Sequence, residues 1–158
     1  ANLVPRLVLA GSGPQEESLR SMARMLGFAE RLHLTGFVDD DDLPAVYRAA
    51  GCLVLAGAGE GFGLPVLEAM ASNLPVIAAR AGALPEVVGR GGTLFTAGDS
   101  QALARALSDL LGHPEAIARL RSAGCDQAQH FTWDRAARVM EGVLRDALGA
   151  SRSGEHCY

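Results

Sequence analysis

Five short apolar runs, each closed by turn-forming residues, set the fold of this chain. They are Leu7–Ala10, Leu32–Leu34, Cys52–Ala56, Pro75–Ala79 and Gly92–Phe95. Runs of this length bounded by Gly, Pro or Asp suit strands buried on both faces. Helical spacing separates them. Leu19, Met22, Ala23 and Leu26 share one side of residues 15–26, and Gly27 is a natural stop. Asp39–Asp42 offers caps for a helix holding Leu43, Val46, Tyr47 and Ala50, which ends at Gly51. Helices are also predicted over residues 64–72 and, as one or two turns, over 84–88. Strands alternating with helices through short loops predict an α/β fold, a Rossmann-like parallel sheet with helices on both faces. The last third reads as helix only, over residues 100–111, 114–123 and 133–148. Pro114 lies where a helix has no use for its missing amide, and Thr132 is placed to cap the last helix. That helix should bury Val139, Met140, Val143 and Leu144, and Trp133 reads as packing. Residues 1–150 are taken as one domain and the polar 151–158 as a disordered tail.

Composition narrows the partners. Apolar residues make up 49% of 158, enough for a real core. A net charge of −4 argues against a nucleic-acid partner, which needs a basic face. No apolar run approaches the ~20 residues that span a bilayer, and nothing resembles a signal peptide. Cys52, Cys125 and Cys157 are too scattered for a zinc site and are an odd number, so a reducing cytoplasmic setting is expected. His33, His113 and His130 are scattered too, so no metal is expected. All basic residues are arginine. The absence of lysine matters because lysine is a common phosphate ligand.

In open α/β sheets ligands bind at the carboxyl ends of strands. Gly11–Gly13, Gly36–Asp40, Ala56–Gly63 and Ala79–Gly82 all fall there, and residues 56–71 carry the most chemistry. Glu60 sits in a glycine-punctuated loop, and Glu68 about a turn into the following helix. The amides of Gly63, Leu64 and Val66 would open that helix, where they and the macrodipole attract phosphate. A carboxylate accepts two hydroxyl hydrogen bonds, as a vicinal diol offers. Two carboxylates flanking an anion-binding helix start could grip two polyols joined by phosphate, which describes a nucleotide sugar. By spacing alone the same acids also suit a solvated loop and a helix start, and short motifs recur by chance. Asp39–Asp42 reads as a solvated cap rather than a cation site, and Glu86 as support for a helix start beside the rim.

Residues 60–71, 75–78 and 82–88, with 7–14, 34–42 and 131–133, resemble the C-terminal domain of family-four retaining glycosyltransferases with the GT-B fold. The likeness covers most of residues 5–147, and Glu60 and Glu68, seven residues between them, match the family signature. The resemblance implies that Glu60 is the catalytic position, contacting the transferred sugar, and that Glu68 binds the ribose. It places the backbone of Gly61, Phe62, Gly63 and Leu64 on the sugar and diphosphate, and Val38 on the base. The donor would be a nucleotide diphosphate hexose, with no cofactor and no metal. The parent enzyme would pass the hexose, with its anomeric configuration kept, to an acceptor held by an N-terminal domain or presented at a membrane surface.

The chain also departs from the family. Ala56-Gly57 stands where Pro-Ser is frequent, and Asn73 where Gly is common. The first strand–helix unit, which carries the cations that neutralise the diphosphate, has no counterpart here. In a sheet of order 3-2-1-4-5-6 that strand is the central one. The strands at Leu7 and Cys52 must then pair directly, leave a gap, or take a strand from another copy in a homo-oligomer. The chain alone is expected to be inactive. The alternatives are a non-catalytic nucleotide- or sugar-binding module, a structural assembly piece, and a nucleotide-sugar epimerase, whose catalytic residues are not recognisable.

Overall fold

The structure, a computed structural model, describes residues 4–57 and 59–152. The chain divides into two compact units, Ala1–Ala50 and Gly51–Tyr158.

The first unit holds β1 (Leu7–Ala10), α1 (Glu16–Met25), a short 3-10 turn (Ala29–Arg31), β2 (Leu32–Gly36) and α2 (Leu43–Ala49). β1 and β2 pair in parallel, Leu7 opposite Leu32 and Leu9 opposite Leu34, with a register break before Ala10. α1 ends as the sequence implies. Gly27 adopts φ 65°, its amide donates to the Arg24 carbonyl, and Phe28 donates to Ala23 at 2.7 Å. That pair of bonds closes the helix through a left-handed residue where glycine is favoured.

Two expectations for this unit are corrected. β1 is not buried on both faces, since Leu7 is 42% and Val8 49% exposed. A two-stranded sheet with one helix connection cannot cover both faces of its strands. The Asp39–Asp42 run does not cap α2 with a side chain. Its backbone carbonyls do that work instead: Asp39 accepts from Asp42 and Leu43, and Asp42 accepts from Ala45 and Val46.

The second unit holds β3 (Leu53–Leu55), α3 (Leu64–Ala71), β4 (Val76–Ala79), α4 (Leu84–Val88), β5 (Thr93–Phe95), α5 (Ser100–Gly112), α6 (Pro114–Ala128) and α7 (Trp133–Arg152). Its sheet has the order β3-β4-β5, all parallel. β4 is central, and Val76, Ile77, Ala78 and Ala79 are fully buried. Ile77 and Ala79 form a core with Phe95, Leu110 and Leu120, against which Cys52 and Val54 pack. Burial pushes the Cys52 thiol above its ordinary value. On the other side α3 carries buried Val66, Ala69 and Met70 against α6.

Two helices differ from the periodicity. α6 continues past Ala123 to Ala128 because Gly124 is a packing contact, not a stop. A Cβ on Gly124 would lie 3.2 Å from Met70 Cγ and 3.3 Å from the Gly91 carbonyl. α7 leaves its apolar stripe open: Val139 is 61%, Leu144 55% and Trp133 91% exposed. These side chains are therefore not inside, and Trp133 is not a packing residue of this unit. The helical backbone of α7 reaches Arg152. The remainder of the expected tail, with His156 and Cys157, lies outside the described residues.

Candidate functional site

The loop from β3 to α3 is shaped by contacts that only glycine permits. Gly63 caps α3 in the left-handed region at φ 92°, ψ 40°. A Cβ there would lie 2.6 Å from Leu84 Cδ2, and Leu84 is fully buried at the start of α4. Gly82, at φ 52°, lies so close to the loop that a Cβ would meet the Glu60 carbonyl at 2.9 Å. The loops following β3 and β4 thus touch, at the carboxyl edge of two parallel neighbours. The Glu60 side chain turns back over Gly57, whose notional Cβ lies 3.3 Å from Glu60 Oε1.

The start of α3 differs from expectation in one respect. The Val66 amide is not free for a ligand, because it donates to the Gly63 carbonyl at 2.9 Å. The left-handed Gly63 tightens the first turn and brings its carbonyl within reach. Pro65 has no amide to offer. By helix geometry Gly63 and Leu64 remain the donors at this end.

The far end of α3 is held as firmly. Asn73 is left-handed at φ 60°, its amide donates to Met70, and Leu74 donates to Ala69 at 2.9 Å. This closure favours glycine, with asparagine the next choice. Cys125 Sγ donates to the Met70 carbonyl at 3.3 Å and approaches Asn73 Oδ1 at 3.7 Å. α6 thereby ties down the helix that carries Glu68.

The second unit therefore brings Glu60, Gly61, Phe62, Gly63 and Leu64 together in one loop and helix start, with Glu68 exposed one turn along α3. Phe62 is 47% and Leu64 58% exposed. Val38 belongs to the first unit, half-buried in the turn after β2. Glu86 lies in the first turn of α4 and is exposed.

Two features escaped the sequence. Leu84 under Gly63 is a contact across the chain with no local signal. The Phe62 ring meets the Phe131 ring edge-on, with centroids 6.1 Å apart and planes at 77°. Elsewhere a trough of about 340 Å³ lies between α5, α6 and the first residue of β5. Its ionisable residues Asp109, His113, Glu115 and Arg119 are all exposed, and Thr93 is half-buried. Among the described residues no group of three or more His, Cys, Asp or Glu is placed to hold a metal.

Comparison with known proteins bears on this loop. Residues 2–113 match the family described as Glycosyl transferases group 1. A D-inositol 3-phosphate glycosyltransferase of Streptomyces coelicolor is 36% identical over 146 residues, covering 90% of this chain and 32% of that protein. Sucrose-phosphate synthase from Thermosynechococcus elongatus superposes with a TM-score of 0.77 at 31% identity, over 92% of this chain and 39% of that one. Anabaena HepE in complex with UDP-glucose gives 0.78 at 28% identity, over 89% and 41%. The chain spans about a third of the length of the curated relatives it matches.

Proposed function

Since the chain belongs to the Glycosyl transferases group 1 family, we propose that it is the donor-binding part of a retaining glycosyltransferase, one that moves a hexose from a nucleotide diphosphate sugar to an acceptor. The observation that carries this reading is the braced loop running from β3 through Glu60 to the left-handed Gly63 at the start of α3. The UDP-glucose held by the similar HepE supports a nucleotide sugar as the donor here.

In this reading the Gly63 and Leu64 amides face the diphosphate, where charge grows as the sugar leaves. Glu60, positioned by Gly57 and Gly82, contacts the hexose hydroxyls. Glu68, on the rigid helix behind, takes the ribose diol, and Val38 meets the base. Catalysis then rests on orientation and on stabilising the leaving group. The acceptor, in the cytoplasm or at a membrane surface, and the cations facing the diphosphate belong to the rest of the enzyme. The 158-residue chain binds donor without turning it over.

Calorimetric titration with UDP-, GDP- and ADP-hexoses tests the reading. One nucleotide series should bind, and Glu68→Ala should weaken it by roughly 10- to 100-fold, the loss of a charged pair of hydrogen bonds. Glu60→Gln should lower the affinity for the sugar nucleotide more than for the bare diphosphate. Equal binding by Glu68→Ala, or hexose transfer by the chain alone, would sink the proposal.

A further inference from the structure

Resting on the donor-loop reading above, we infer that Phe131 is a positioning residue for that loop: its ring braces Phe62 and holds the segment between Glu60 and α3 in its binding shape. Phe62 needs such a brace. It stands between two glycines, Gly61 and Gly63, and glycine is the residue type with least intrinsic backbone restraint. Phe62 as a residue is 47% exposed, so no core fixes it. Phe131 meets it edge-on at 6.1 Å and 77°, a favourable geometry for two aromatic rings.

Phe131 can act as a brace because its own turn is fixed on both sides. Toward α6, Phe131 donates its amide to the Ala128 carbonyl at 3.1 Å, and His130 donates to Gln127 at 3.0 Å. Toward α7, Thr132 Oγ1 accepts from the Arg135 amide at 3.2 Å. The Arg135 guanidinium donates back to the His130 carbonyl at 3.4 Å. α6 is itself tied to the helices on either side of β4. Cys125 donates to the Met70 carbonyl of α3, and Gln127 Nε2 donates to the Val87 carbonyl of α4 at 3.1 Å. The turn before α7 is therefore tied through α6 to α3 and α4, and the Phe131 ring reaches the loop from that turn.

The test compares Phe131→Leu with Phe131→Tyr, which keeps the ring. In the ligand-free chain, amide hydrogen exchange at Gly61, Phe62, Gly63 and Leu64 should rise about 2- to 10-fold in Phe131→Leu and stay near the parent in Phe131→Tyr. Amides of β4 should not change in either, which separates bracing from a general loss of stability. The affinity for whichever nucleotide hexose binds the parent should fall by a similar factor in Phe131→Leu only. Unchanged loop exchange, or raised exchange with unchanged affinity, would overturn the positioning role. A parent chain that binds no nucleotide sugar would instead overturn the donor reading, and with it any donor role for the brace, even if loop exchange still rose.

Discussion

Single atoms decide the shape of the loop that carries Glu60. Gly63 combines a left-handed backbone with a neighbour that cannot retreat, because Leu84 is fully buried beneath it. Gly63→Ala should therefore destabilise the chain by about 2–4 kcal/mol: roughly 1–2 kcal/mol for the left-handed residue and the remainder from a methyl forced against Leu84. Urea unfolding checks the size. Combining it with Leu84→Ala should cost less than the sum of the two single changes, since the pair shares one clash. Additive losses would show that the backbone conformation alone requires glycine. Little of this was legible in the sequence. A glycine-rich turn before a helix was readable, but Leu84 lies 21 residues beyond Gly63, and no pattern in the chain announces that contact. The Val66 amide was misassigned for a related reason: a left-handed Gly63 draws its own carbonyl inward, and φ is not written in the residue list. Asn73 was the better clue. A glycine-like position held by asparagine corresponds to the left-handed closure at φ 60°.

At the scale of elements, apolar runs closed by turn residues located all five strands, and only in β4 does the unbroken run correspond to burial on both faces. Helix ends were harder where tertiary contacts override local preference. The helix predicted to end at Ala123 runs on through Gly124, the residue that lets α6 approach Met70. Periodicity gave α7 its apolar stripe but not what covers it, so Val139, Met140, Val143 and Leu144 were misplaced. Caps behave the same way. The acidic run before α2 supplies only carbonyls, whereas Asp99, before α5, accepts from the Ala102 amide at 2.8 Å. Its backbone is extended, φ −91° and ψ 96°, which aims the carboxylate back at the first turn. Asp99→Ala should cost about 1 kcal/mol in urea unfolding, and Asp99→Ser should keep most of the stability. A loss equal in both variants would assign the effect to something other than the cap.

Across the whole molecule, stability is unevenly shared. Among the described residues Ala23 is the one buried apolar side chain of the first unit, while the others lie in the second. A two-stranded sheet is marginal by itself, and β1 and β2 form one in which Leu7 and Val8 of β1 are exposed. The second unit has a fully buried central strand and helices on both faces of it. Buried apolar contact sets how far a segment must unfold before its amides exchange. Amides of β1 and β2 should therefore exchange at least ~100-fold faster than those of Val76–Ala79, a gap of about 2.7 kcal/mol in opening free energy. Urea should open residues 4–50 before residues 51–152, giving two transitions rather than one. Equal protection in a dilute monomer would contradict the argument. Protection that grows with protein concentration, seen alongside a dimer in sedimentation, would instead mean that a second copy supplies the cover β1 lacks.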